Sequence, residues 1–391
     1  MDRMSELTAS FRPVYWDGQR LEVAVKENGD EHRVWFEANR PFRLEGDTLA
    51  VALSTLCGTM YHRIFFEFEV SSSALSGISG WTKAVTGSDS DAAETPERAA
   101  GRGTALSFSG GLDSLSSKFL LGEEVGLVSL DFGGRFSRER VFFEDFDPWV
   151  IRTNLVETPL RFNSWSFMGI GALLLADQLG SRYHAFGSIL EAGQLARKEP
   201  TDRNFTFPPF RLAGYESVAP VAGISEAGTV LIVLNNAPEL LVGSLMSLAS
   251  PGEEKFHRKI ALARSVSEIF GFDIALPDLP PNPRVHFEFG QNFTVDLTAL
   301  FFRAMGRRKY SEAIVANFPE DLAQKFDSSD LEFMFKADQN YYSAYPPELA
   351  LPLNEGLVRS GIKWYSEQDY EAVEKVRREL GVYHPHLLNT I

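Results

Sequence analysis

The sequence predicts an α/β protein in which a parallel-sheet domain follows an N-terminal mixed α+β module and precedes a helical C-terminal part. Two observations support this fold class. In the middle of the chain, short apolar runs alternate with segments of helical periodicity, whereas near the N-terminus residues 20–25 alternate between polar and apolar. Uninterrupted apolar strands separated by helices are typical of parallel sheets that helices cover on both faces.

The N-terminal module is predicted to comprise residues 1–83. Residues 20–25 and 31–36 are strand-like, and the Asn28-Gly29 pair between them indicates a β-hairpin. A helix-like segment and a further strand-like run complete the module. Residues 84–102 are mostly small and polar, so they are predicted to form a linker.

The central domain is predicted at residues 103–275, because strand and helix patterns alternate there. The strands are predicted at residues 104–108, 125–132, 183–186 and 229–234. The helices are predicted at residues 114–121, 164–179, 239–249 and 256–270. Residues 276–391 begin with a proline-rich stretch and then lose the strand pattern, so they are predicted to be mainly helical.

Composition and charge exclude several classes of function. The 391 residues include 38 Lys and Arg and 53 Asp and Glu, so the net charge is −15, which argues against nucleic acid or anionic lipid as a partner. The lone Cys57 excludes an intrachain disulfide, and it excludes a four-cysteine zinc site or a cysteine-ligated iron–sulfur cluster built from this chain alone, so neither zinc nor such a cluster is expected. With neither an apolar stretch of membrane-spanning length nor a signal-peptide pattern, we expect a cytoplasmic protein that does not enter a membrane.

The segment Ser109-Gly110-Gly111-Leu112-Asp113-Ser114 carries the clearest chemical signal. It follows a predicted buried strand and directly precedes a predicted helix. Two glycines permit a sharp turn and close approach of a ligand, and a helix N-terminus attracts phosphate oxygens. An acidic Asp113 in such a loop is consistent with a magnesium ion that bridges carboxylate and phosphate. The kinase-type GxxxxGK[ST] loop is absent from this segment.

The SGGLDS motif in this strand–loop–helix context resembles the PP-loop of the N-type ATP pyrophosphatases, a superfamily with Rossmann-like domains. Members include asparagine synthetase, NAD synthetase and 7-cyano-7-deazaguanine synthase. The resemblance covers about residues 103–270. It implies ATP and Mg²⁺ as cofactors, Ser109, Asp113 and Ser114 as catalytic residues, and Asp113 as the metal ligand. The implied nucleotide-binding residues are Ser107, Ser109, Gly110, Gly111, Leu112, Asp113, Ser114, Asp131, Phe132, Gly133, Gly187 and Ser188.

Two further features are candidates for the same site. Lys255 and Lys259 share one face of a predicted helix and are assigned as catalytic, because a leaving pyrophosphate needs positive charge. The alternative for these lysines is a solvated helix face. Glu191 follows Gly187-Ser188 and could bind magnesium or orient the nucleophile. The alternative is that this carboxylate only interacts favourably with the dipole of a helix N-terminus.

The resemblance implies an AMP- and pyrophosphate-forming ligase that adenylates a carboxylate or amide-type oxygen and passes it to ammonia or an amine. Nitrogen is favoured as nucleophile because Cys57 is the sole cysteine. The alternatives are a sulfur-inserting enzyme with an external donor and a non-catalytic nucleotide-binding subunit. The expected partners are a small molecule, peptide or protein as acyl donor or acceptor, and a protein that supplies ammonia or substrate. A homodimer stays open.

Overall fold

A large, mostly parallel sheet and many helices make up the mixed α/β fold. The computed structural model describes residues 7–93, 101–122, 124–193, 195, 206–279 and 286–388. Within these residues the strands are β1 Thr8–Trp16, β2 Arg20–Glu27, β3 Asp30–Ala38, β4 Arg63–Phe66, β5 Val85–Ser88, β6 Thr104–Ser107, β7 Val125–Asp131, β8 Trp149–Thr153, β9 Tyr183–Ala185, β10 Glu216–Val218, β11 Phe287–Glu288, β12 Val315–Ala316, β13 Lys336–Ala337 and β14 Lys363–Trp364.

Short and long helices connect these strands, together with several single 3₁₀ turns. The α-helices in the described residues are α1 Gly46–Ser54, α2 Ser72–Thr82, α3 Leu112–Leu121, α4 Ser137–Phe143, α5 Ile170–Leu174, α6 Ala176–Leu179, α7 Pro208–Leu212, α8 Glu226–Asn236, α9 Leu240–Leu248, α10 Glu254–Phe270, α11 Phe293–Ala304, α12 Arg308–Ile314, α13 Glu320–Ala323, α14 Pro347–Arg359 and α15 Glu367–Leu380.

The chain divides into two compact units that interleave along the sequence. The first comprises Met1–Ser109, Glu124–Ala185 and Thr206–Val218. The second comprises Gly110–Glu123, Phe186–Phe205 and Ala219–Ile391. The division therefore falls inside the SGGLDS motif, between Ser109 and Gly110.

The first unit contains the large sheet, whose strand order over the described residues is β10-β9-β6-β7-β8-β3-β2-β1-β4-β5. Strands β10, β9, β6, β7 and β8 are parallel to one another. Strands β1, β2 and β3 form an antiparallel meander, and β4 and β5 continue the sheet in parallel beyond β1. The predicted hairpin is confirmed: Asn28 and Gly29 both have positive φ, as a two-residue turn between twisted strands requires.

The predicted N-terminal segment 1–83 is continuous with the sheet of the central strands. Strand β3 pairs antiparallel with β8, and its Ala38 lies opposite Ile151. The predicted linker 84–102 contains a strand, since β5 pairs with β4, while residues 94–100 lie outside the described part of the chain. Pairing between strands distant in sequence has no local signal, so the sequence did not indicate either arrangement.

The second unit is mainly helical and combines α3 with helices from the C-terminal half. Helices α3 and α14 approach closely, because a Cβ on Gly356 would lie 3.1 Å from the Cα of Leu120. Helices α8, α9 and α10, which the sequence assigned to the central domain, belong to this unit together with the predicted helical region 276–391. The described short strands of this unit form the parallel pairs β11–β12 and β13–β14.

The predicted strand at residues 229–234 is wrong, because these residues lie within helix α8. Ser225 caps this helix through its side chain, which accepts a hydrogen bond from the Gly228 amide. Every residue from Glu226 to Leu234 is buried. A helix that is buried on all sides shows no apolar periodicity, so a short apolar run is read as a strand.

The predicted helix at 164–179 is interrupted. It consists of a 3₁₀ segment at Trp165–Gly169 followed by α5 and α6. In the described residues, no helix combines the length and the apolar character that crossing a membrane requires.

Candidate functional site

The motif loop turns sharply between strand β6 and helix α3. Gly110 has φ of +78°, a conformation that side chains disfavour, and Gly111 is the N-cap of α3. The buried Ser244 on α9 donates a hydrogen bond of 2.8 Å to the Gly110 carbonyl oxygen. The Ser114 hydroxyl donates to the Gly111 carbonyl oxygen at 3.1 Å. These two hydrogen bonds fix the loop at the start of the ten-residue helix α3.

Asp113, in the first turn of α3, lies beside a buried lysine. The Lys259 Nζ is 3.6 Å from Asp113 Oδ1 and 2.6 Å from Glu226 Oε1. Lys259 is only 4% exposed, although it is a charged residue on α10. Asp113 Oδ1 is buried and has no hydrogen-bond partner among the described residues. The structure therefore brings together two of the predicted catalytic residues, Asp113 and Lys259.

Glu226 links this pair to a second buried cation. Its carboxylate contacts Arg258, and the Arg258 Nε donates to Glu254 Oε1 at 2.8 Å. Burial by itself would raise the pKa of Glu226, but the positive charges of Arg258 and Lys259 outweigh burial and lower that pKa to about 2. The pKa of Lys259 is raised, because the negative charges of Asp113 and Glu226 outweigh its own burial. Both cations therefore keep their charge.

Glu191 contacts the backbone of Glu226, and its carboxyl group has a different protonation state from that of Glu226. Its Oε1 accepts a hydrogen bond of 2.8 Å from the Glu226 amide, at the N-terminus of α8. Its Oε2 is buried without a hydrogen-bond partner in the described chain. Burial, followed by the nearby negative charge of Glu226, raises the pKa of Glu191 to about 8. At neutral pH this carboxyl group therefore retains its proton and is a potential hydrogen-bond donor.

Gly187 is in close contact with the start of α3. A Cβ at this position would lie 2.7 Å from the Ser114 amide nitrogen and 2.9 Å from the Asp113 carbonyl carbon. Because both atoms belong to the backbone, neither can move aside as a side chain would. Ser188 next to it is exposed. The close packing of position 187 against the motif therefore leaves no room for a side chain, which accounts for the glycine.

Leu112 of the motif is fully buried in the second unit, and the remaining predicted nucleotide-binding residues belong to the first unit. Ser107 Oγ is 3.0 Å from His184 Nε2, and burial lowers the pKa of His184 to about 3, so the imidazole is neutral. Asp131 accepts from the Gly133 amide at 2.9 Å. Phe132 is buried, and its ring packs against those of Phe136 and Phe167. Ser109 is exposed at the end of this unit.

The other basic residues have separate environments. Lys255 is exposed one turn before Lys259 on α10. Arg303 and Arg308 pair with Glu320 and Glu312, and Arg307 pairs with Glu268.

The sequence patterns did not indicate Glu226, and they indicated Arg258 only as one of several basic residues on the predicted helix that could clamp a phosphate. Glu226 was hidden because residues 229–234 were read as a strand, so its place in the first turn of a helix was not recognised. The available signal was Ser225 followed by an acidic residue, which is typical of a helix start.

The donor groups at the motif suit a phosphate ligand and a magnesium ion. These groups are the N-terminus of α3, the ammonium group of Lys259 on α10, and the Asp113 carboxylate oxygen that lacks a hydrogen bond in the described chain. The described residues contain no cluster of three or more His, Cys, Asp or Glu side chains arranged for a metal ion. Asp113 is the residue of the motif that would hold a magnesium ion.

No family model, curated protein or solved structure matches this chain. Its function is therefore inferred from the motif and from the geometry of the second unit.

Proposed function

We propose that this protein is a PP-loop ATP pyrophosphatase with a Rossmann-like nucleotide-binding fold. It would attach the AMP portion of ATP to the oxygen of a carboxylate or amide-type substrate with release of pyrophosphate, and a nitrogen nucleophile would then displace AMP. One observation carries the proposal: Nζ of the buried Lys259 lies 3.6 Å from Oδ1 of Asp113, which is a residue of the SGGLDS motif. A lysine at this place is consistent with a polyphosphate site, because it adds a fixed positive charge to the helix N-terminus.

Each residue of the site has a role in this proposal. Asp113 would hold magnesium through the carboxylate oxygen that lacks a hydrogen-bond partner in the described chain. Lys259 and the amides of the loop would hold the pyrophosphate portion, with the exposed Ser109 as a hydroxyl donor. Ser114 would donate to phosphate only by exchanging its hydrogen bond to the Gly111 carbonyl oxygen. The exposed Lys255 would add a second cation. The chemistry that bound MgATP supplies is an electrophilic α-phosphate. Glu226 and Arg258 would keep Lys259 in place without contacting the nucleotide.

Nitrogen is the preferred nucleophile over a sulfur relay within this chain. Cys57 is fully buried, and burial, followed by the charge of Glu27, raises the pKa of its thiol well above the usual value. A buried thiol with a raised pKa is a poor nucleophile. We propose a cytoplasmic enzyme that acts on a small molecule, a peptide or a protein terminus.

The test uses the full-length protein with MgATP, a panel of carboxylic acids, and ammonium or primary amines. Chromatography should detect AMP and pyrophosphate in equal amounts with the correct acid. Release of ADP and phosphate would contradict the proposal. Binding of MgATP without turnover under every condition would favour the non-catalytic alternative.

A matched pair of variants tests the role of the loop. Asp113→Asn should reduce AMP formation by about 100-fold or more, in line with the loss of one electrostatic contact to a transition state. Lys118→Gln changes a charge on the same helix, one turn and a half further on, and should retain activity. Far-ultraviolet circular dichroism checks that both variants fold.

A further inference from the structure

The first unit contains an aromatic pocket that the proposed ligase chemistry does not use. Its volume is about 630 Å³, within the range of roughly 300–1,000 Å³ that is typical of small-molecule sites. The lining residues are Gly58, Thr59, Gly77, Gly80, Trp81, Lys83, Asn163, Ser164, Trp165, Phe207, Pro208, Arg211 and Leu212.

Three aromatic rings converge in this pocket. The Phe207 ring centroid is 5.7 Å from that of Trp81 and 5.2 Å from that of Trp165. Trp165 is 57% exposed, which is a large apolar area to leave in water. Exposed ring faces of this kind favour the stacking of a planar ligand.

The polar groups of the pocket favour an anion. Among its described lining residues, Lys83 and Arg211 are cationic and no carboxylate is present, although the whole chain has a net charge of −15.

Glycines on α2 shape the space. A Cβ on Gly77 would lie 2.3 Å from the Leu212 side chain, so this glycine permits α2 and α7 to pack closely. Gly80 has no heavy atom within 4 Å of the corresponding position. Because Gly80 also lines the pocket, a larger side chain there would enter open space.

We propose that this pocket is a binding site for a small planar aromatic anion, such as an aromatic or heterocyclic carboxylate. The rings of Trp81, Trp165 and Phe207 would contact the ligand ring. Lys83 and Arg211 would pair with its charge. The proposal is independent of the ligase function, because it rests on different residues.

Isothermal titration calorimetry of the full-length protein with 2-naphthoate tests this proposal. Two analogues separate the contributions: 2-naphthylmethylamine keeps the ring and reverses the charge, and cyclohexanecarboxylate keeps the charge and lacks the aromatic ring. We expect 2-naphthoate to bind about tenfold or more tightly than either analogue, since aromatic and ionic contacts are each lost in one of them. Equal binding of all three, or no binding at millimolar concentration, would overturn the proposal.

Variants assign the binding to this pocket. Trp165→Ala should weaken 2-naphthoate binding by about tenfold, and Lys83→Gln by a few-fold. Gly80→Leu should abolish binding without loss of thermal stability, because it fills the pocket and replaces a glycine inside a helix. Phe162→Ala is the control, since Phe162 is 76% exposed and does not line the pocket. An equal effect of Trp165→Ala and Phe162→Ala, or Trp165-dependent binding of an acidic aromatic peptide but not of 2-naphthoate, would overturn the small-ligand assignment.

Discussion

Two glycine pairs follow neighbouring strands, and their aspartates have opposite environments. Gly133-Gly134 follows β7, and Asp131 beside it accepts from the Gly133 amide and lies 3.3 Å and 3.5 Å from the guanidinium nitrogens of Arg140 and Arg152. Gly110-Gly111 follows β6, and Asp113 Oδ1 has no hydrogen-bond partner within the described chain. Asp131 is therefore hydrogen-bonded within its own turn, whereas Asp113 lies 3.6 Å from Lys259 Nζ and leaves Oδ1 without a hydrogen bond in the described chain. Such groups are concentrated at functional sites, where a ligand completes them.

The cations that accompany these turns also differ. Arg140 and Arg152 have side chains 42% and 49% exposed, so water solvates them. Arg258 and Lys259 have side chains only 8% and 6% exposed and depend on carboxylates for their solvation. The motif in the second unit is therefore supported by an electrostatic network in which loss of one charged group leaves a buried charge without its partner.

The largest expected effect comes from removing the central carboxylate of that network. Glu226→Gln leaves two buried cations with less negative charge and should lower the free energy of unfolding by about 3–5 kcal/mol. Asp131→Asn leaves two half-exposed arginines that still pair with Glu144 and Glu37, so it should cost about 1 kcal/mol or less. Urea unfolding of both variants measures the difference. Equal losses would show that the two turns do not differ in this way.

The second prediction concerns the pH dependence of stability through Glu191. The folded-state pKa of this acid is raised from 4.5 to about 8, so the folded chain holds the proton more tightly than the unfolded chain. Its contribution to stability is therefore complete below about pH 4.5 and is lost as the pH rises towards 8. Glu191→Gln imitates the protonated form, so it should gain stability relative to wild type between pH 5 and pH 8, by more than about 1.4 kcal/mol.

Urea unfolding of wild type and Glu191→Gln at pH 5, 6.5 and 8 checks this expectation. The neutral, buried His184 acts in the opposite direction: its pKa is lowered to about 3, so it removes stability as the pH falls below 6.5. This contribution is the same in both proteins and cancels in their difference. A difference that does not change with pH would contradict the raised pKa of Glu191.

The smallest expected effects compare two glycines. Gly187→Ala places a methyl group against the backbone of Asp113 and Ser114, so it should cost about 1–3 kcal/mol and weaken MgATP binding. Gly133→Ala meets no heavy atom within 4 Å, but φ +64° with ψ −165° is a backbone conformation that is nearly restricted to glycine, so it should cost about 1–3 kcal/mol through backbone strain alone. Thermal unfolding and calorimetric titration with MgATP measure both. Weaker MgATP binding in Gly133→Ala alone would reverse the assignment of the two turns.

The sequence predicted those features that depend on neighbouring residues. The Asn28-Gly29 hairpin was recognisable because a two-residue turn requires positive φ at both positions. Strands β6, β7 and β9 were predicted within one or two residues, because short apolar runs flanked by glycine have few alternatives. Helix α8 was not recognised, because complete burial removes the periodicity from which helices are predicted.

By itself, the sequence determined that a glycine-rich loop with Asp113 joins a buried strand to a helix, since these residues are consecutive. Only the tertiary structure decided which distant groups meet this loop. Asp113, Glu226 and Lys259 come from three separate helices, and their contacts depend on how those helices pack. The same packing determines protonation: Glu226 is ionised beside two cations, and Glu191 keeps its proton where burial outweighs its hydrogen bond. Burial and charge proximity are properties of the folded chain, and no local pattern of residues encodes them.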